Sequence, residues 1–576
     1  MDSTRIARSP QVDSVNLTQT SSEYKLRFVS LGGILGVTKN MYLYELYKGD
    51  QLQDIVIVDC GIGFPQDKAL GVDFVIPDIS YLKDKLSKVR AILLTHGHED
   101  HISALPYHYT DLGEPPMYAS RLTSAFIKNK FKETGQQPKI NLVDFDQRYK
   151  FGGITAEFVR MTHSIPDTTH ILIRTPAGNI YHGSDYKLDL TPPYGSPPDF
   201  YKITQFGHEG ALCLMSDCLG TDREGLTLSE NIVGQTFEDQ MRKTKGKFIM
   251  STFSSNISRI RQCVEAAKKF NRKVAFLGRS MKDNTAIAAE IGYLPELKTL
   301  LIRDDQVMKM APNKVCLIVA GSQGQYNSAL ARLASQQHKF IAIKPGDAVV
   351  FSSDPIPGNE NEVYSLIEDL VLLGADVVYS DVQEQLHASG HGSQEDIKFL
   401  ARFVDPTYFI PIGGTIRHQR GYQNLMTDLG YKKDNVLLLD EGDTIIFEKK
   451  GARKGPKIPT KTIYVDAYGV GDVGSVILRD RQIISTDGMV VALVLLDVQN
   501  KLITKPSIVS RGFVFEKGEE KLMGEATKMI ESVLIARGTQ PLSVTTFKKQ
   551  IADNLEQLFL ESKGRKPLIV VEVIQI

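Results

Sequence analysis

The hexapeptide His96-Gly97-His98-Glu99-Asp100-His101 constrains this chain more than any other stretch, because it sets three imidazoles and an aspartate directly behind the apolar run Ile92 to Leu94. Only 12 histidines occur in 576 residues, so three within six positions is a concentration. Imidazole with carboxylate is the donor set of zinc or a similar transition metal. Loop histidines can be solvated and inert, but density and strand-to-loop context here agree on a metal site. If residues 91 to 95 form a buried strand, His96 and His98 leave its end with alternate spacing and share a direction. Asp100 and His101 then open the next turn, within reach of a second ion. In two-metal hydrolases the ions lie about 3.5 to 4 Å apart and stabilise both the attacking and the leaving oxygen.

Length and composition bound the rest. A chain of 576 residues with 42% hydrophobic content is long enough for about three to four domains with substantial cores. Its five cysteines, Cys60, Cys213, Cys218, Cys263 and Cys316, are scattered without C-x-x-C spacing. Neither a disulfide framework nor a cysteine zinc site is indicated, and a reducing cytoplasm fits. No apolar run approaches the roughly 18 to 20 residues that span a bilayer, and the polar first 24 residues lack a signal-peptide core, so a soluble, unexported protein without a membrane partner is expected. Basic and acidic residues balance at 68 each, so a nucleic-acid partner would need local basic patches. The run Lys449 to Lys457 is one candidate, although a basic Gly/Pro run reads first as a solvated linker.

Along the chain, residues 1–23 read as a disordered tail rich in Ser, Thr and Gln. Residues 24–230 alternate short β-branched runs with helical patterns, as in an α/β sandwich. Gly32-Gly33-Ile34-Leu35-Gly36 lacks a P-loop lysine pattern and reads as a tight turn. Residues 231–385 form a second α/β unit that reads as an insertion. Its apolar strands Val274 to Leu277 and Val315 to Val319 run into Gly278-Arg279-Ser280-Met281 and Gly321-Ser322-Gln323-Gly324, small-residue turns whose exposed N–H groups suit anions. Residues 386–450 return to the first unit, 451–475 read as a linker, and 476–576 as a small C-terminal α/β domain. There Leu522, Ala526, Met529, Ile530, Val533 and Leu534 follow helical spacing, a stripe that reads as core or subunit interface.

The pattern H-x-H-x-D-H after an apolar strand resembles the signature of the metallo-β-lactamase fold. Asp59, after Ile55-Val56-Ile57-Val58, resembles that family's early supporting aspartate, His163 in Thr162-His163-Ser164 its third histidine, and Asp185 in Gly183-Ser184-Asp185 the aspartate shared by both ions. The order of these separated motifs carries the reading, since each alone is weak. With Lys39-Asn40-Met41, Tyr186-Lys187-Leu188-Asp189, Ser216-Asp217, Ser229-Glu230, Ser254-Ser255-Asn256, His387-Ala388-Ser389-Gly390-His391, Asp472-Val473-Gly474 and Ser510-Arg511-Gly512-Phe513, the chain after Tyr24 resembles the ribonuclease J family, the β-CASP branch of metallo-β-lactamase nucleases.

That resemblance implies an αβ/βα sandwich with an inserted β-CASP domain and a small C-terminal domain. It implies metal ligands His96, His98, Asp100, His101, His163 and Asp185, and catalytic roles for Asp100, Asp185, His391 and its carboxylate partner Asp217. It also implies an RNA phosphate cradle of His387, Ala388, Ser389, Gly390 and His391 with Ser322 and Arg279, reading backbone phosphates more than base edges. The activity implied is in-line hydrolysis of RNA phosphodiesters, 5′-to-3′ exonucleolytic with endonuclease cutting, in RNA maturation and mRNA decay. The implied cofactor is zinc, two ions, with manganese or magnesium as alternatives. Implied partners are RNA, further copies in a homodimer or homotetramer, and a paralogue or RNA-decay complex.

One departure stands out. Where the family has Pro-x-His-Gly-Glu, this chain reads Pro411-Ile412-Gly413-Gly414-Thr415, so the second ion would keep only Asp100, His101, Asp185 and water and be held weakly. Two readings follow: a working ribonuclease with a loose second metal, or a degenerate RNA-binding subunit that assists an active paralogue. A small-molecule hydrolase is disfavoured by the inserted domain, which small substrates do not require.

Overall fold

The computed structural model describes residues 24–65, 69–356, 358–448, 451–466, 469–471, 473–513, 516–537 and 543–576. The N-terminal tail, Lys449-Lys450 of the basic run and Asp472 lie outside them. The chain divides into two compact units, one of residues 1–63 and 77–461, the other of residues 64–76 and 462–576.

The first unit is built on two mixed sheets of eight and six strands. Strand Val89–Leu93 shows why the sequence folds this way. Ala91, Ile92 and Leu93 are all buried, the continuous apolar run expected of an inner parallel strand covered on both faces, and its neighbours Gln51–Val58 and Met117–Ala119 run parallel to it. Between the sheets, Phe28, Tyr44, Val58 and Leu93 from one meet Phe158, Ile171, Met215 and Ile410 from the other. Each such fully buried side chain stabilises by about 2 kcal/mol. Helices Phe200–His208, Gln394–Val404 and Ile416–Asp428 cover the outer face of the six-stranded sheet, through Phe206, Leu400 and Met426 packed on Leu172, Leu214 and Phe409.

Five parallel strands form the inserted sheet, in spatial order Lys273–Leu277, Val315–Val319, Phe248–Ser251, Ala348–Phe351, Asp376–Val378. The connections leaving Phe248–Ser251 and Ala348–Phe351 head in opposite directions, which opens a crevice at the carboxyl ends of those neighbours.

The 451–475 stretch differs from the linker expected. Gly451–Lys454 pairs with Thr444–Glu448 at the edge of the eight-stranded sheet, and Arg453, Lys454 and Lys457 face Glu448, Asp443 and Asp440. The described part of the basic run is therefore ion-paired.

In the second unit, Phe74–Ile76 pairs with Ile463–Asp466, so residues 64–76 belong here although the sequence reading kept them with the sandwich. Strand Met489–Leu496 lies between Ser507–Arg511 and Leu568–Gln575. Helices Glu516–Arg537 and Val544–Lys563 pack on it through Leu522, Ala526, Ile530, Phe547 and Ile551. No helix among the described residues is long and apolar enough to cross a membrane.

Candidate metal centre

Strand ends deliver every member of the histidine and aspartate cluster. His96 and His98 follow Val89–Leu93, Asp100 and His101 fall in helix Glu99–Ile102, His163 follows Ile154–Arg160, and Asp185 follows Gly178–His182. His96 Nε2 lies 3.0 Å from His98 Nδ1, His163 Nε2 lies 3.1 Å from the same atom, and Asp185 Oδ2 stands 3.9 Å from both Nε2 atoms.

The outward nitrogens decide what the inward ones are. His163 Nδ1 donates to the Gly390 carbonyl at 2.6 Å, His98 Nε2 meets Ser164 Oγ at 3.2 Å, and His96 Nδ1 meets Thr95 Oγ1 at 3.1 Å. The Gly390 carbonyl, and a Thr95 hydroxyl that gives its own proton to Asp59, put the protons of His163 and His96 on the outward side and leave bare lone pairs inward, and a Ser164 hydroxyl that accepts does the same for His98. Burial, then the neighbouring imidazoles, lowers His96 and His163 well below the usual range. Burial is also the first cause at His98, lowered to about 4, so all three rings are neutral, the form that binds metal. Converging lone pairs beside a carboxylate fit a divalent cation.

A second group shares Asp185. His101 Nε2 lies 3.4 Å from Asp185 Oδ2 and 3.5 Å from Asp100 Oδ2, while His101 Nδ1 is held by Asp59 Oδ2 at 2.7 Å. Asp59 also accepts from the Thr95 amide and hydroxyl. Around His101 burial disfavours charge, but Asp100, Asp185 and Asp59 outweigh it and favour positive charge at this spot. The sequence reading gave Asn40 no role here, yet its Nδ2 lies 3.1 Å from His101 Nε2 and 3.3 Å from Asp100 Oδ2, oriented by the Tyr42 hydroxyl on its Oδ1. Gly413 supplies nothing: a β-carbon there would stand 3.6 Å from Asp217 Oδ1 and 3.7 Å from Asp185 Oδ1. His418 does not replace it, since its Nδ1 meets Thr415 and its Nε2 faces Arg417 and Asp222.

Opposite the metal groups, His391 Nδ1 is 2.7 Å from Asp217 Oδ2, and Asp185, Asp217 and His391 form a third close cluster. Burial opposes a charge on His391, but Asp217 raises it above the ordinary value. Ser389 Oγ braces the His391 backbone, and Gly390 is required by close approach, because a β-carbon would sit 2.7 Å from the His163 ring. His387 and Ala388 are held by Arg259. Arg279 is exposed in the first turn of helix Arg279–Glu290 and Ser322 is buried after Val315–Val319.

Two sheets with this donor set at their strand ends define a metal-dependent hydrolase of the metallo-β-lactamase superfamily, and a family model described as Metallo-beta-lactamase superfamily matches residues 36–200. Others match as Ribonuclease J, beta-CASP domain (245–370), Zn-dependent metallo-hydrolase RNA specificity domain (376–437) and Ribonuclease J C-terminal domain (476–576). The chain belongs to the ribonuclease J family. It is 35% identical to Ribonuclease J2 of Bacillus subtilis (strain 168) over 96% of this chain and 99% of that one. To Ribonuclease J 1 of Streptococcus pyogenes serotype M3 it is 36% identical over 95% and 97%. A crystal structure of a protein of unknown function from Enterococcus faecalis V583 shares the fold, with TM-score 0.51 and 16% identity over 73% of this chain and 100% of that one.

Proposed function

We propose that this chain hydrolyses RNA phosphodiesters in a metal-dependent reaction, as a 5′-to-3′ exonuclease with endonuclease activity. The observation that carries the reading is the convergence of His96, His98, His163 and Asp185, with the Asp217–His391 pair facing Asp185. His96, His98, His163 and Asp185 would hold the first ion, zinc by donor type, and Asp100, His101 and Asp185 a weaker second. A bound divalent ion supplies charge neutralisation for the phosphoryl oxygens and activation of water. Asp185 stands between the two groups and orients what lies between them. His391, whose hold on a proton Asp217 strengthens, would present its remaining N–H to the departing 3′ oxygen and deliver the proton it needs. The chain segment Ala388 to Gly390 and His387 would line the phosphate path.

A second reading is favoured by two observations: at the second group Gly413 offers no ligand, and the Asn40 amide caps His101. Under it the chain is a catalytically weak RNA-binding subunit that assists an active paralogue. Assembly, whether homodimer, homotetramer or mixed, finds support in the apolar row Val491, Val509 and Val570 of the C-terminal sheet, opposite its helices. A cytoplasmic location is supported by five buried cysteines, all free thiols.

The test is degradation of 5′-monophosphorylated RNA by purified protein with zinc, manganese or chelator, beside His98→Ala. Metal-dependent release of mononucleotides that the variant lacks supports the exonuclease. RNA binding without cleavage under every metal condition overturns it in favour of the second reading.

A further inference from the structure

We propose that Arg259 is a positioning residue that fixes His387 as a neutral Nε2–H donor to a phosphate oxygen of bound RNA, an inference that rests on the RNA reading above. Arg259 lies in helix Ile257–Lys269, is fully buried, and is the one charge among the helix's buried residues, which include Ile257, Ile260, Gln262, Cys263 and Val264. Its whole fork is engaged. Nε and Nη2 each reach Glu230 at 2.8 Å, Nη2 also reaches the Ala388 carbonyl at 2.9 Å, and Nη1 reaches the Ser352 carbonyl and His387 Nδ1, both at 2.7 Å.

A guanidinium has donors only, so His387 Nδ1 accepts and the ring proton sits on Nε2. That N–H has no settled partner, since the nearest carboxylate oxygen, Asp354 Oδ2, is 3.6 Å away. Burial, then Arg259, Lys187 and Arg223, keeps the ring neutral. Beside it, Arg223 Nε, Ser353 Oγ and Asp354 Oδ1 are buried with no hydrogen-bond partner among the described residues, and burial pushes the Asp354 carboxyl towards its neutral form. Buried polar atoms left open in a group mark a place built for a polar ligand. Ser353 and Asp354 follow the carboxyl end of Ala348–Phe351, where the connections diverge. Arg259 also grips both passages between the sandwich and the inserted sheet, Glu230 on the way in and Ala388 on the way out. The same side chain thus sets the ring's tautomer and the path of the segment leading to His391.

The test separates an acceptor for Arg259 from a donor to RNA. Glutamine places an amide N–H near the Nε2 position and asparagine near Nδ1. With chelator present to stop cleavage, His387→Gln is expected to bind 5′-monophosphorylated RNA within about threefold of wild type, and His387→Asn about tenfold more weakly, the loss of one hydrogen bond to a charged group. Equal binding by the two variants overturns the donor role. Independently of RNA, nitrogen-15 spectra of histidine-labelled protein are expected to show His387 as the Nε2–H tautomer in wild type and Arg259→Lys, and a mixture in Arg259→Met. An Nδ1–H form in wild type overturns the positioning role. Hydrolysis of bis(p-nitrophenyl) phosphate reads the metal centre alone. Its absence with the His387 pattern intact refutes the enzyme and not this inference, and the reverse result refutes this inference alone.

Discussion

His163 Nδ1 donates to the carbonyl of Gly390 at 2.6 Å, joining two residues 227 positions apart across the inserted domain. The bond sets the tautomer that turns His163 Nε2 inward, so the first metal group depends on a backbone atom of the returning segment. A β-carbon at Gly390 would meet the His163 ring at 2.7 and 2.8 Å and Ser164 at 2.9 Å. Gly390→Ala is therefore expected to weaken metal binding about 10- to 100-fold, the usual cost of disturbing a ligand's outer partner. Titration with zinc against a competing chelator measures it. Wild-type affinity would show that the loop yields without moving the ring.

His98 sits at the middle of the first group, its Nδ1 within 3.0 Å of His96 and 3.1 Å of His163. His98→Ala should empty that group and lower RNA hydrolysis by about three orders of magnitude, the scale of transition-state charge stabilisation a metal supplies. Metal content and thermal shift with zinc check the first statement, and single-turnover cleavage the second. Full activity in the variant would refute the assigned site or expose a contaminating nuclease.

Much of this centre was legible in the sequence because strand ends are local. The run Ile92 to Leu94 places His96 to His101 at the rim, and the same logic carries Asp59, His163 and Asp185. What was hidden depends on side chains brought together by packing. Asn40 lies 61 positions from His101 in sequence, and nothing local says that its amide turns to that ring. Arg259 left a faint signal, a charge among the mostly apolar positions of its helix's buried face, but its partners Glu230 and His387 come from opposite ends of the insertion. Strand Gly451–Lys454 was read as linker because it falls in a basic Gly/Pro run, whose glycine and lysine are poor strand formers. Pairing to Thr444–Glu448 overrides that preference.

Gly413 separates the two functional readings. Its φ of +67° is in the left-handed region, so Gly413→His carries a backbone cost of about 1 kcal/mol even though its β-carbon would meet only ordinary contacts with Asp185 and Asp217. If a missing ligand limits the second group, the variant should bind more metal per chain and cleave RNA faster while its metal-free form melts slightly lower. Metal analysis, cleavage rate and melting temperature in chelator read the three effects. Unchanged metal content and rate would sink the impaired-site account.

Acid should destabilise the first unit through buried histidines that are not among the metal groups. Burial lowers His108 and His182 to about 4 each, and their Nε2 atoms lack hydrogen-bond partners among the described residues. Their folded values lie below the unfolded one, about 6.5, so between these limits the unfolded chain takes up protons that the folded chain refuses. The contribution of these two histidines is therefore constant above that window and falls as pH falls inside it, by at most about 3 kcal/mol per histidine. His108→Gln removes one such group and should flatten the fall. Melting temperatures of chelator-treated protein between pH 7.5 and 5 provide the measurement, and parallel curves for wild type and variant would show that His108 is not refused its proton in the folded state.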